Sequence, residues 1–105
     1  MQLPAKMECA EALVKVMEIE GVKFIFGHPG EQILPFYRAL SSSTIKHVLM
    51  RHEQGAAHAA DGYARIKGIG AVSLTYNVGE LSALNGIAGA FAERVPLVVI
   101  VGTPR

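Results

Sequence analysis

Three glutamates occupy positions where a carboxyl group could exchange a proton with a ligand. Glu31 follows the loop Gly27–Gly30, Glu53 follows an apolar run, and Glu80 follows the turn Asn77–Gly79. Each of them begins a predicted helix, so each could simply stabilise the positive end of a helix dipole. Acids at the starts of successive helices fit dipole stabilisation and an acid–base site equally well, and residue type alone leaves both interpretations open.

Glu53 has the strongest case for chemistry among the three. The first two turns of its predicted helix consist almost entirely of Ala and Gly, which allows another protein surface to approach closely. A carboxyl group desolvated at such a contact holds its proton more readily than an exposed one and can work as a general acid or base near neutral pH. As a first-turn acid, Glu53 would equally favour the start of its helix.

The pair of His52 and Glu53 does not form a zinc motif. A helical zinc site needs a second histidine four residues after the first, and that position is Ala56. His58 lies about 240° around a helix from His52, so the two cannot bind one ion from the same face. We therefore predict no metal site in this chain, and we expect His47 to lie on a surface or an edge strand.

Alternating helix and strand signals predict the elements that position these residues. The predicted helices are residues 7–20, 31–40, 53–67 and 80–93, and the predicted strands are residues 23–26, 45–50, 71–76 and 97–101. The segments between strands are long enough to carry helices, which is typical of a parallel sheet. We expect one three-layer α/β domain over residues 1–105, a four-stranded parallel sheet with helices on both faces. In such sheets, ligands bind beyond the carboxyl ends of the strands.

Hydrophobic spacing also predicts which faces of the elements are buried. The last strand, Leu97–Val101, is a continuous apolar run and is expected to be buried on both faces. The helices are expected to bury apolar faces with helical spacing. These faces comprise Cys9, Leu13, Val16 and Met17 in the first helix, Ile33, Leu34 and Tyr37 in the second, Ala56, Ala60, Tyr63 and Ala64 in the third, and Leu84, Ile87, Ala88 and Phe91 in the fourth.

Composition narrows the classes of partner. The 105 residues carry ten basic and nine acidic side chains, a formal net charge of +1, which gives no field for nucleic acid. The longest strongly apolar run is Leu97–Val101, far shorter than the roughly 20 residues that span a bilayer. Cys9 is the only cysteine, so a reducing, cytoplasmic location is expected. Half of the residues are apolar and only 18% are charged, so we expect a protein partner to cover part of the surface.

A family resemblance is carried by Gly21–Gly30, with the sequence GVKFIFGHPG, and by Arg51–Arg65, with the sequence RHEQGAAHAADGYAR. Both resemble the pyrimidine-binding (PYR) domain of thiamine-diphosphate enzymes of the acetolactate synthase and 2-oxo acid decarboxylase group. Residues Val78–Gly89 and Val95–Pro104 are more similar to pyruvate and indolepyruvate decarboxylases. Because the two halves lean toward different branches, we hypothesise a reconstructed, consensus-like or engineered sequence. A close natural full-length parent would contradict that hypothesis.

The resemblance implies a strand order of 2-1-3-4 and binding of thiamine diphosphate through its aminopyrimidine end. The glutamate that matches Glu53 hydrogen-bonds N1′ of that ring and exchanges a proton with it, while the cofactor carries the carbanion chemistry of 2-oxo acid decarboxylation. Glu31 matches a position where decarboxylases carry an acid, usually Asp, near the reacting carbonyl. The other residues implied to line the cofactor are Pro29, Gly30, Asn77, Val78 and Gly79.

The resemblance also implies what a complete enzyme needs beyond this chain. Family PYR domains are longer, so a C-terminally shortened PYR-type domain is expected, with magnesium and the diphosphate held by a separate diphosphate-binding domain. Alone, the chain is expected to be inactive, to bind thiamine diphosphate weakly or not at all, and to self-associate as a dimer or larger. The alternatives are a purely structural folding unit without cofactor, and a subunit that completes an enzyme in trans with a separate diphosphate-binding chain.

Overall fold

The computed structural model describes residues 6–104; residues 1–5 and 105, which the single-domain prediction includes, lie outside the described part. The helices are α1 (Cys9–Ile19), α2 (Leu34–Ser41), α3 (Glu53–Lys67), α4 (Val78–Ser82) and α5 (Leu84–Ala92), and a 3₁₀ helix, Glu31–Ile33, precedes α2. The strands are β1 (Phe24–Gly27), β2 (Lys46–Leu49), β3 (Gly70–Leu74) and β4 (Leu97–Val101). No helix within residues 6–104 has the length and apolar character needed to cross a membrane.

The four strands form one parallel sheet in the order β2-β1-β3-β4, which confirms the predicted order and fold class. Phe24 pairs with Lys46 at one edge, and Gly70 pairs with Leu97 at the other. β3 lies inside the sheet and all its residues are buried. The parallel register brings the carboxyl ends of the strands to one edge, where the candidate site residues follow.

Helices cover both faces of the sheet, each over its own apolar core. The core on the α1 and α2 face contains Val14, Met17, Val22, Ile25, Ile33, Phe36, Leu40, Ile45 and Ala71. The core on the α3 face contains Ala56, Ala57, Ala60, Val72, Leu74 and Ala83, with Phe26, Met50, Ile87, Leu97 and Val101 packed against it. The second core is rich in alanine, so α3 can lie close to its neighbours.

α3 has the bounds that the sequence predicts because both ends carry strong signals. At its start, the side chain of His52 accepts a hydrogen bond from the backbone N–H of Gln54. At its end, Gly68 takes a left-handed conformation, with a φ of 97° that favours glycine. The predicted inner face is also confirmed, since Ala56, Ala60 and Ala64 are buried and Tyr63 is half-buried.

The predicted helix 80–93 is wrong in its bounds and in its buried face. The structure divides it into α4 and α5, and Val78 and Gly79 belong to α4 rather than to a turn. Leu84 is 54% exposed and Phe91 is 85% exposed. The residues that turn inward are Ala83, Gly86, Ile87 and Ala90. A Cβ atom at Gly86 would lie 2.7 Å from the Cβ of Ala57, so α5 packs on α3 through its small residues and presents its large ones outward.

Three further burial predictions are wrong in whole or in part. β4 is an edge strand and its side chains are only partly covered, with Val99 36% exposed, so it is not buried on both faces. In α1, Leu13 and Val16 are exposed, as is Cys9, whereas Met17 is buried as predicted and Val14 is buried in addition. In the 31–40 segment, Leu34 is likewise exposed, whereas Ile33 and Phe36 are buried.

A buried polar group lies under α2. The hydroxyl of Tyr37 and the Oγ of the fully buried Ser73 are 2.6 Å apart. The ring of Tyr37 also packs edge-on against His47 of edge strand β2, with centroids 4.8 Å apart. Nε2 of His47 is buried and has no hydrogen-bond partner within residues 6–104. Burial lowers the pKa of His47 below its usual value, and a hydrogen bond with the backbone of Gly27 opposes this effect.

His47 should therefore make folding less favourable in mild acid. The unfolded chain takes up this proton more readily than the folded chain, so the contribution of neutral His47 is fully present above about pH 6.5 and is lost as the pH falls through that value. We expect the free energy of unfolding, measured by urea denaturation at several pH values, to fall less steeply in His47→Gln than in the parent. His58→Gln, which changes an exposed histidine, should keep the parental slope, and equal slopes in all three proteins would contradict the prediction.

Candidate functional site

The loops that follow the four strands meet at one edge of the sheet. The backbone N–H of Met50 donates to the carbonyl of Gly27 at 2.8 Å, which joins the exits of β2 and β1. Nδ1 of His28 lies 2.9 Å from the carbonyl oxygen of Met50 and links the same two loops through a side chain. The exit of β4 is held in the same way, since the N–H of Gly102 donates to the carbonyl of Leu74 at 3.1 Å.

Thr75, the residue directly after β3, lies at the centre of this edge. A Cβ atom at Gly30 would overlap Oγ1 and Cβ of Thr75, and a Cβ atom at Gly79 would lie 2.7 Å from its Cγ2. Both glycines are therefore needed for the exits of β1 and β3 to close around one threonine side chain. Thr75 is not among the site residues predicted from the sequence; its position between the strand and Asn77 is the signal that could have identified it.

Glu53 lies beside this cluster, at the first position of α3. The side chain of Glu53 is 15% exposed. A Cβ atom at Gly79 would lie 3.5 Å from Cγ of Glu53, so the start of α3 and the start of α4 are in contact. Within residues 6–104 the carboxylate makes no hydrogen bond, and Nε2 of His52 lies 3.9 Å from its Oε2.

His52 orients itself toward Glu53 through its own hydrogen bond. Its Nδ1 accepts from the N–H of Gln54 at 3.1 Å, so in the neutral ring the proton is on Nε2. That Nε2–H group therefore stands on the side of the ring that lies 3.9 Å from Oε2 of Glu53. His52, predicted from the sequence only as a neighbour of the site, therefore caps α3 and lies beside the Glu53 carboxylate.

Asn77 has a strained backbone at the exit of β3. Its φ is 57° and its ψ is −81°, a combination that side chains with a Cβ rarely adopt. Strain of this kind costs of order 1–3 kcal/mol and is concentrated at functional sites. Asn77 is exposed, and Val78 after it is 69% exposed, so these two predicted lining residues stand at the surface of the edge.

The other predicted site residues are placed at the same edge without being drawn together. Pro29 is exposed, Gly30 is half-buried and Gly79 is buried. Glu31 begins the 3₁₀ helix and is exposed, and Glu80 is half-buried in the first turn of α4. Neither of these carboxylates makes an ion pair or a side-chain hydrogen bond in the described part of the chain. No group of three or more His, Cys, Asp or Glu side chains within residues 6–104 could hold a metal ion.

The fold is that of the parallel α/β class, in which ligands bind at the carboxyl edge of the sheet. The family "Thiamine pyrophosphate enzyme, N-terminal TPP binding domain" matches residues 7–105, and the chain belongs to this family. This confirms the resemblance drawn from Gly21–Gly30 and Arg51–Arg65.

Relatives of both groups named in the sequence analysis are similar to the chain. A probable acetolactate synthase large subunit of Methanocaldococcus jannaschii is 50% identical over 91% of this chain and 16% of its own length. A pyruvate decarboxylase of Aspergillus parasiticus is 52% identical over 90% of the chain and 16% of its own length. The acetolactate synthase large subunit of Haemophilus influenzae is 43% identical over 92% of the chain and 17% of its own length. The chain thus spans about a sixth of the length of these curated relatives.

The packing around Thr75 predicts that Thr75→Ser rescues an alanine at Gly79 but not an alanine at Gly30. Gly79→Ala should lower the free energy of unfolding by about 1–3 kcal/mol through overpacking. Thr75→Ser removes the Cγ2 atom that the new methyl group would meet, so most of the loss should disappear in the double variant. Gly30→Ala collides with Oγ1 and Cβ, which serine retains, and should not be rescued. Denaturant unfolding of the three single and two double variants checks this, and equal rescue of both glycine variants would contradict it.

Proposed function

We propose that the chain is the aminopyrimidine-binding part of a thiamine-diphosphate enzyme of the acetolactate synthase and 2-oxo acid decarboxylase group, with Glu53 contacting N1′ of the ring. The family and its relatives support the cofactor and the class of enzyme. The observation that carries the residue assignment is the position of Glu53. It is a mostly buried carboxylate at a strand-exit edge, and no hydrogen bond from residues 6–104 occupies it.

The residues at this edge fit an aminopyrimidine. A ring nitrogen needs one group that can donate or accept a proton, and the Glu53 carboxyl can do both. Gly30 and Gly79 add no side chain of their own at the β1 and β3 exits, where the side chain of Thr75 packs against both of them. When bound, the cofactor supplies the electron sink for decarboxylation. The chain's own part is to orient the ring, to hold a proton at the Glu53 carboxyl for N1′, and to exclude water on the α3 side.

Glu31 is proposed as a second acid near the reacting carbonyl. It stands at the exit of β1, directly after the glycine that packs on Thr75. Because its carboxylate is exposed and has no partner within residues 6–104, its position is held less firmly than that of Glu53. Pro29, Asn77 and Val78 are proposed to border the ring. Magnesium and the diphosphate are proposed to bind to a separate diphosphate-binding domain, either in the same enzyme or in trans.

Glu53→Gln should weaken binding of thiamine diphosphate to this chain. Loss of a hydrogen bond to a charged group costs about 1.5–3 kcal/mol, which corresponds to a rise in Kd of at least about tenfold. Calorimetry with thiamine diphosphate and magnesium, followed by amide chemical shifts at the start of α3, measures the change. Glu20→Gln, which alters an exposed acid at the end of α1, should bind like the parent.

Three outcomes of this experiment distinguish the alternatives. Binding that is equal in the parent and in Glu53→Gln would contradict the role of Glu53 while leaving cofactor binding intact. No binding to either protein would favour a purely structural unit and contradict the proposal. Decarboxylation that appears when the parent is mixed with a diphosphate-binding domain, and that is lost with Glu53→Gln, would establish function in trans.

We further propose that the chain self-associates through the outer face of α4 and α5. This apolar face consists of Val78, Leu81, Leu84, Ala88 and Phe91, all of them exposed. Within α5 the spacing of Leu84, Ala88 and Phe91 places them on one side of the helix. Residues 81–92 contain no charged side chain. A contiguous apolar face of this kind is uncommon on a lone soluble domain, and a face without charge is complementary to its own copy.

A charge on this face should dissociate the proposed dimer. Phe91→Glu removes the most exposed large apolar side chain of the face and places a carboxylate in the proposed contact. Loss of a large aromatic interface residue can cost about 2 kcal/mol or more, so the dimer Kd should rise by at least about 30-fold. Sedimentation at micromolar concentration measures this.

Val16→Glu is the matched control, since it puts the same charge on an exposed apolar position of α1, on the opposite face of the sheet. It should leave the dimer intact. A parent that is monomeric at micromolar concentration, or equal dissociation of both variants, would contradict the proposed surface.

A further inference from the structure

A recess lies between α1 and α2, on the face of the sheet opposite α3. It has a volume of about 280 Å³, and its lining includes Val14 and Ala39 at the bottom with Pro35 beside them. All of its lining residues belong to α1, α2 and the residues that directly precede α1 or follow α2, and none belongs to the strand-exit edge. The volume suits a small organic molecule of a few heavy atoms rather than a nucleotide.

Charges of both signs line this recess. Glu8 and Glu11 stand on the α1 side, and Arg38 is contributed by α2. Lys15 also lines it, and its Nζ pairs with Glu18 at 3.6 Å. Within residues 6–104, neither acid forms an ion pair or a hydrogen bond through its side chain with Arg38, although all three line one recess. Glu8 stands at the N-cap of α1 but its side chain does not cap the helix.

We propose that the recess between α1 and α2 binds a small zwitterion with a short aliphatic segment. Arg38 would take its carboxylate, since a guanidinium pairs with a carboxylate through two parallel hydrogen bonds. Glu8 and Glu11 would take its ammonium group, and Val14, Ala39 and Pro35 would cover its aliphatic carbons. Two acidic and two basic side chains line the recess, so a molecule with both charges satisfies it better than an ion of either sign. This proposal does not depend on the proposed cofactor function.

The probe is 6-aminohexanoate, with hexanoate and hexylamine as matched molecules that each lack one charge. Titration of the ¹⁵N-labelled protein should shift amide signals of α1 and α2, and we expect 6-aminohexanoate to bind at least about fivefold more tightly than either control. Arg38→Gln should weaken the binding of 6-aminohexanoate and of hexanoate. The double variant Glu8→Gln/Glu11→Gln should weaken the binding of 6-aminohexanoate and of hexylamine. Arg51→Gln and Glu20→Gln, which change exposed charges outside the recess, should bind like the parent.

Three results would overturn the proposal. These are equal affinity for the three molecules, no effect of the Arg38 and Glu8/Glu11 variants, and shifts confined to α3 and α4. L-Leucine, whose ammonium and carboxylate groups are close together, tests which distance between the two charges the recess prefers. If it binds more tightly than 6-aminohexanoate and with the same dependence on Arg38, the ligand class narrows to α-amino acids, which supports the proposal. Shifts with 6-aminohexanoate together with a silent thiamine diphosphate titration would support the recess while contradicting the cofactor function.

Discussion

The close approach of α3 to its neighbours is the constraint on which the rest of the structure depends. Ala56, Ala60 and Ala64 let the helix lie against the sheet, and a Cβ atom at Gly70 of β3 would overlap the carbonyl oxygen of Ala60. On its other side, α5 approaches through Gly86, next to Ala57. Any larger side chain at these positions would push α3 away from the sheet, and the first residue of α3 is Glu53. The alanine surface is therefore what fixes the carboxylate relative to the strand exits.

Close packing through small residues also shapes the edge of the sheet where the strands end. Thr75 is enclosed between Gly30 of the β1 exit loop and Gly79 of α4, and the start of α4 touches Glu53. Such packing lets a few residues hold a carboxylate in place without a hydrogen bond to it from residues 6–104. The cap of α3 adds a polar constraint, because His52 uses one ring nitrogen for the helix and presents the other toward the carboxylate. Packing contacts therefore fix the position of the Glu53 carboxylate, and this group stays available to exchange a proton.

Sequence reasoning succeeded where start and stop signals coincide with the fold. The bounds of α3 and β4 agree with prediction. Gly68 ends α3, and Pro96 directly precedes β4. The strand order and the location of Glu53 at the strand exits also followed from the motifs. The packing around Glu53 did not, because it depends on Gly79 of α4 approaching the start of α3, and on Thr75 packing against both Gly79 and Gly30, which is distant from it in sequence.

The failures share one physical cause. Periodicity identifies an apolar stripe but not whether that stripe meets the domain's own core or remains outside. In α5 the large residues Leu84 and Phe91 face outward and the small ones face α3, which reverses the usual expectation. β4 has the composition of a central strand but lies at an edge. The composition predicts an excess of apolar surface, but only the structure shows where that surface lies.

α5 has a further consequence for the motions of the domain. It contains Gly86 and Gly89, each of which lowers helix propensity by about 1 kcal/mol relative to alanine. A Cβ atom at Gly89 would have no neighbour within 4 Å in the described chain, so nothing there compensates for its flexibility. The helix therefore depends on tertiary contacts, and its end is joined to α3 by an exposed ion pair between Arg65 and Glu93. We therefore expect the amide hydrogens of α5 to exchange through local opening, which would uncover the alanine surface that positions α3.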